Sequence, residues 1–152
     1  MAIENTRWPD IGSVPDGMSG WLERFYTLAD TRGDVASREF SELFTDDGTM
    51  YGMAGKVQGT KAIFESRAHG WNAIERRKHE VEQVFTARQD YSNILIQGKI
   101  TAKFRNGKEV VGGMTAQILF DDATSSNPKA SLYKTWGDSA PWVNAMKGGA
   151  QL

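Results

Sequence analysis

Apolar residues from 19 to 31 (Trp21, Leu22, Phe25, Tyr26, Leu28 and Ala29) recur at the helical period, which predicts a helix with one broad buried face. Ser19 is placed to cap it, with Leu22 where a capping box would want Glu or Gln, and Gly33 is placed to stop it. A second helix is expected over residues 35–43, burying Phe40, Leu43 and Phe44 and ending before Asp46-Asp47-Gly48. The period then changes. Residues 49–53, Thr-Met-Tyr-Gly-Met, have the pattern of a short strand, and Gly55 and Gly59 bracket a turn. A third helix is predicted over 60–76, with Ile63, Phe64, Arg67, Trp71 and Ile74 on one side. Strands are predicted over 78–87, 93–105, 108–121 and 129–138. Asn106-Gly107 is a strong hairpin signal between two of them, and Gly112-Gly113 predicts a bulge or sharp bend.

Helices followed by a run of meandering strands indicate an α+β domain. In the strand over 93–105, Ile94, Ile96, Ile100, Ala102 and Phe104 share one phase, and Leu95, Gln97, Lys99, Thr101 and Lys103 the other. The apolar phase is expected to face the helices and the mixed phase to lie outside, where it would support a symmetric homodimer. Residues 1–17 are polar, with Arg7, Pro9, Asp10, Pro15 and Asp16, and lack the apolar core of a secretory leader. They are expected to form either an N-terminal arm or a disordered tail, ahead of one domain over 18–147 and a tail over 148–152.

Composition removes several classes of function. At 152 residues the chain can bury roughly 70% of the surface it exposes when unfolded, without a disulfide or metal staple. It contains no cysteine, so a thiolate nucleophile and cysteine-based zinc sites are excluded. Eighteen basic and 19 acidic residues, mixed along the chain, leave a net charge of −1 and no stripe for nucleic acid or a membrane surface. No apolar run approaches the ~20 residues of a membrane span. A cytoplasmic protein is the expectation.

Five segments then carry a resemblance: "RFYTLADTRGD", "LFTDDGTMYG", "VQGTKAIFES", "RKHEVEQVF" and "LYKTWGDSAPW". In this order and spacing, over roughly 20–142, the chain resembles the nuclear transport factor 2-like superfamily. It is most similar to the SnoaL-like small proteins, which include polyketide cyclases, ketosteroid isomerase and scytalone dehydratase. The resemblance implies a cone-shaped α+β barrel of the cystatin-like kind, a strongly curved antiparallel sheet wrapped around N-terminal helices. It does not specify an activity, because the superfamily also holds domains without chemistry.

The implied cone would be lined by Phe25, Met53, Phe64, Trp71, Val81, Phe85, Met114, Ile118, Tyr133 and Trp136, an apolar set suited to a small-molecule site. Tyr26 and Asp30, four apart, share a face of the first helix. Tyr26 falls where ketosteroid isomerase keeps its oxyanion-hole tyrosine, but Gly52 and Ala116 stand in place of the two carboxylates that enzyme needs. Tyr51 and His79 resemble the tyrosine and histidine of scytalone dehydratase, whose second pocket histidine is missing from "VVGGMTAQILF". A late asparagine of that family also has no match. His79 suits proton transfer because its ordinary pKa lies near 6.5. Its alternative is a strand-start histidine bonded to backbone, and Tyr26 and Asp30 have structural alternatives as well. His69 reads as exposed or rim-lining, Arg67 and Arg76 as a solvated helix face with a substrate clamp as the alternative, Asp138 as an acid ending the last strand, and no metal set has ligand spacing.

Two functions emerge as expectations. One is a cofactor-independent isomerase, cyclase or dehydratase for a small, largely apolar carbonyl compound, with His79 moving the proton and Tyr51, Tyr26 and Asp30 assisting. The other is a non-catalytic module of the same fold that binds a ligand or a partner.

Overall fold

The structure, a computed structural model, describes residues 1–52 and 55–148. Met53, one of the expected lining residues, lies outside the described residues. In chain order the elements are α1 (Asp16–Ala29), α2 (Asp34–Ser41), β1 (Phe44–Gly52), β2 (Gly55–Gln58), α3 (Thr60–Ser66), β3 (Ile74–Thr86), β4 (Asn93–Phe104), β5 (Glu109–Phe120), β6 (Ala130–Trp136) and α4 (Ala140–Gly148). A tighter 3-10 turn, Arg67–Trp71, continues α3.

The α+β class is as expected, and the helices cover one face of a six-stranded sheet ordered β2-β1-β6-β5-β4-β3. The sheet is curved but not closed into a barrel; β2 and β3 are its edges. Nor is it wholly antiparallel, since β1 runs parallel to β6. β3 carries two register slips, between Ile74 and Arg76 and again between Val81 and Gln83, and bulges of this kind bend a strand. Opposite the second slip stands Gly98, where a Cβ would meet the Glu80 carbonyl oxygen at 2.2 Å. Only a glycine lets the two strands approach this closely. The bulge therefore stands opposite Gly98, whereas Gly112 and Gly113, where one was expected, pair in regular register with Ile100 and Lys99.

Helix boundaries differ from the expected ones for local reasons. α1 starts one turn early: extended Pro15 holds the N-cap position and Asp16 places negative charge in the first turn. Ser19 Oγ instead donates to the Asp16 carbonyl at 3.1 Å. Asp30 takes the C-cap, and Gly33 (φ 107°) begins α2. The third helix stops at Ser66, and residues 74–77 belong to β3. Residues 46–48 lie within β1, where its pairing with β6 is irregular between Phe44 and Thr49. α4 has no counterpart among the elements expected from the sequence. Asp138 Oδ1, at the strand end expected of it, accepts from Ala140 N–H and opens that helix.

The expected β4 phase is correct: Ile94, Ile96, Ala102 and Phe104 are buried, while Leu95 and Gln97 are exposed. The main core joins α1 to the sheet through aromatic rings. Phe25 lies 4.7 Å from Trp21, Phe40 and Tyr133 in turn. A smaller cluster of Ile74, Ala102, Phe104, Val110 and Ala145 sits beneath α4. The N-terminal residues form an ordered arm along the β3 edge. Arg7 N–H donates to Glu82 O, Val84 N–H to Arg7 O and Val81 N–H to Ala2 O. Among the described residues no helix is long and apolar enough to cross a membrane.

Candidate functional site

The last carbonyls of a helix have no partner within it and carry the negative end of its dipole. At the end of α1 two arginines meet them. Buried Arg67 donates to Ala29 O (3.1 Å), Leu28 O (2.6 Å) and Thr31 O (2.7 Å). Arg77 of β3 donates to Ala29 O from Nε at 3.1 Å and also from Nη2. The reading of Arg67 as solvated is therefore corrected. Its place in the otherwise apolar stripe of Ile63, Phe64 and Trp71 was the signal that it points inward. Burial pulls the Arg67 guanidinium down to about 10, and neighbouring Arg77 pulls it the same way. Burial lowers Arg77 too, opposed chiefly by Asp30.

This clasp presents Asp30 to β3. Its Oδ2 accepts the His79 backbone N–H at 2.8 Å, and its Oδ1 lies 2.6 Å from His79 Nδ1. Arg77 Nε stands 3.6 Å from the same oxygen. Held on both its main chain and its ring, His79 has one orientation. With the Asp30 carboxylate on Nδ1, the neutral imidazole that carries its proton there leaves the Nε2 lone pair free, and no hydrogen bond to Nε2 is formed among the described residues. One turn before Asp30, Tyr26 stacks on the imidazole at 5.1 Å and 28°. Its hydroxyl lies 3.2 Å from that of Tyr133. Burial raises both phenols above the ordinary tyrosine value, Tyr26 strongly. Both therefore stay protonated donors at neutral pH.

Tyr26, Asp30, His79 and Tyr133 are thus brought together from α1, β3 and β6. Phe25, Val81, Met114 and Ile118 are buried in the core around them, with Phe64 and Trp71 half-buried on the α3 side. Three expected members are not there. Tyr51 pairs with Lys134 in register, and its ring lies under the Lys134 ammonium (4.9 Å) on the far face of the sheet. Trp136 shares that ammonium and is 46% exposed. Phe85 is 42% exposed, because the slip at Val81/Gln83 hands the inward phase to Val84. His69 is exposed, as expected. Sequence reasoning missed Arg67 and Arg77 and gave Tyr133 only a lining role.

Between α1 and the sheet the rings of Phe25, Tyr26 and Tyr133 are in direct contact. Two open surface hollows stand out elsewhere. One of about 420 Å³ lies on the outer sheet face by Gln97, Thr115 and Trp136. Another, of about 490 Å³, lies by Glu42, Asp46 and Lys129. Neither includes His79. Asp30 and His79 are two possible metal ligands, but no third carboxylate or imidazole joins them among the described residues.

The sequence matches no family model and no curated protein. Solved structures share its fold. TerC, co-crystallised with polyporic acid, superposes with a TM-score of 0.70 at 12% identity, covering 87% of this chain and 99% of that one. A candidate SnoaL-like polyketide cyclase from Jannaschia sp. CCS1 gives 0.67 at 14%, covering 90% and 96%. An NTF2-like protein of unknown function from Exiguobacterium sp. 255-15 gives 0.63 at 16%, covering 78% and 98%. The chain has the nuclear transport factor 2-like fold. Its structural neighbours include SnoaL-like and ketosteroid isomerase-like proteins.

Proposed function

We propose that this chain is a cofactor-independent acid–base enzyme, an isomerase, cyclase or dehydratase acting on a small, largely apolar carbonyl compound. The observation that carries the reading is the Asp30–His79 pair, with Nε2 left without a protein partner beside a buried tyrosine pair. Nε2 takes a proton from carbon next to the carbonyl, and the Asp30 carboxylate stabilises the imidazolium that forms. The protonated Tyr26–Tyr133 pair, whose Tyr26 ring stacks on the imidazole, is the group we assign to the developing oxygen charge. Tyr51, on the other face of the sheet, has no part in this scheme. Neighbours that carry a cyclase name, and the one crystallised with polyporic acid, support a small-molecule ligand.

The test is exchange of α-protons into deuterated water, followed by NMR over a panel of cyclic ketones and hydroxyketones. His79→Gln should slow exchange by roughly 10²–10⁴, the usual contribution of one general base. Equal rates in His79→Gln and the parent chain would remove the proposal.

A second reading has its own observation. Phe85, Leu95, Gln117, Lys134 and Tyr51 form one row across the outer face, each paired in register with the next. Phe85 and Leu95 are exposed apolar neighbours in that row. On this reading the domain is a homodimerising module that buries about 1,200–2,000 Å² in all. Light scattering at micromolar concentration decides it, since a mass of 16.9 kDa means one chain. A charge reversal at Lys99 should weaken the dimer and leave the fold intact.

A further inference from the structure

The covered face of the sheet carries an unbroken row that starts at His79. His79 of β3 pairs with Ile100 of β4, and Ile100 with Gly112 of β5. His79 turns its ring to α1, Ile100 packs on the main core, and Gly112 faces α4. All three therefore point into one helical layer. The row ends under Trp142, where a Cβ on Gly112 would lie 2.9 Å from the indole Nε1 and 3.0 Å from Cζ2. Along this phase of β5, Val110, Met114, Ala116 and Ile118 all carry side chains. The one position without a side chain is where the edge of an indole is seated.

α4 is fastened lightly for an element that closes a hydrophobic layer. Among its described residues Ala145 is buried and Trp142 half-buried. The side-chain hydrogen bond that reaches it from the sheet is Asn106 Nδ2 to Ala145 O at 2.9 Å. Its start depends on Asp138 and Ser139, both exposed. Trp71, in the same cluster, keeps a buried indole N–H with no acceptor among the described residues. Such an unmet donor is uncommon in a finished core. Segments that open to admit ligands are drawn from the least anchored parts of a fold.

We propose that α4 is a lid over the end of the row that leads to His79, latched by the Trp142 indole against Gly112. The lid gives the Asp30–His79 pair its access route, so its purpose rests on the proposed function. Its existence is testable without turnover.

Carbethoxylation by diethyl pyrocarbonate, followed by peptide mass spectrometry, reads the accessibility of both histidines, with exposed His69 as the reference in each sample. With α4 closed, His79 should react slowly. Trp142→Ala should raise its rate about tenfold with His69 unchanged, as expected when a local closing equilibrium is released. Adding free indole to that variant should restore protection by refilling the seat at Gly112. Gly112→Ala, which pushes the indole off without touching α4 itself, should raise the His79 rate as well. Circular dichroism identifies any variant that fails to fold, and Trp142→Phe then replaces it as a smaller, partial release. An unchanged His79 rate in folded Trp142→Ala or Trp142→Phe and in Gly112→Ala overturns the lid. A faster rate in these variants, with ketone exchange unaffected by His79→Gln, would keep the lid and discard only the catalytic reading.

Discussion

The two ends of the helical layer are fastened in different ways. At the α1 end, three carbonyls are held by Arg67, Arg77 bridges to Asp30, and the Trp21 indole donates to Leu43 O at 3.0 Å. At the α4 end, among the described residues, Ala145 and Trp142 pack on Ile74, Ala102, Phe104, Val110 and Gly112, and the polar ties are single bonds from Asn106 and to exposed Asp138. Polar anchoring at α1 sets the position of Asp30 and His79 to within a hydrogen bond. Apolar contact at α4 fills space but sets little direction. The first arrangement suits a site that must keep its geometry, and the second suits an element that can leave.

Damage at the α1 end should therefore be global and damage at the α4 end local. The largest effect is expected from Arg67→Ala, which strands the Leu28, Ala29 and Thr31 carbonyls beside a buried cavity. A loss of about 3 kcal/mol is expected in urea unfolding. A loss below about 1 kcal/mol would mean that water replaces the guanidinium and that the clasp is dispensable.

Next comes Gly98→Ala. Its Cβ would collide with the Glu80 carbonyl, so the β3 bulge must shift, at roughly 2 kcal/mol. The same change should disturb the His79–Asp30 spacing, visible as an altered imidazole NMR shift. A normal shift with full stability would show that the curvature has another source.

Tyr26→Phe should cost about 1 kcal/mol near neutrality through the lost bond to Tyr133. It should also change the alkaline limb. Burial raises the folded-state pKa of Tyr26 above its unfolded value near 10. Its stabilisation is complete below that pH and is lost as pH rises through the folded value. Arg67, lowered to about 10, has the opposite slope in that range, because the folded chain sheds that proton first. Urea midpoints from pH 9 to 11 should therefore fall less steeply in Tyr26→Phe than in the parent. Parallel slopes would mean that Tyr26 is not sealed from solvent.

The smallest global effect belongs to Asp138→Ala, which removes the bond to Ala140 N–H. About 0.5 kcal/mol or less is expected in urea. Amide exchange within α4 should quicken while β3 and β4 stay protected. Equal acceleration throughout would erase the difference between the two ends.

Much of this was legible in the residues. The Ile94/Ile96/Ala102/Phe104 phase named the covered face, Asn106-Gly107 named its hairpin (Gly107 φ 87°), and Tyr26, Asp30 and His79 were candidates before any geometry. Phe85, Trp136 and Tyr51 went astray through register. A bulge at Val81/Gln83 inverts the phase of the remaining β3 residues, and alternation read along one strand cannot see a slip against its neighbour. α4 was missed because its packing partner, Gly112, lies on β5, far back in the chain.

By itself the sequence determined most of the periods: where α1, α2 and the start of α3 lie, which stretches alternate, and which face of β4 is apolar. Those depend on neighbours three or four residues apart, or two. The tertiary structure decided which carboxylate meets which imidazole, which arginines are buried, and which tyrosines share a hydrogen bond. Asp30 and His79 lie 49 positions apart, and Tyr26 and Tyr133 lie 107 apart. Contacts at such separations are set by how the sheet bends and where the helices settle on it. The β3 bulge in turn needs Gly98 to pass close to the Glu80 carbonyl, a steric relation between strands that no local pattern encodes.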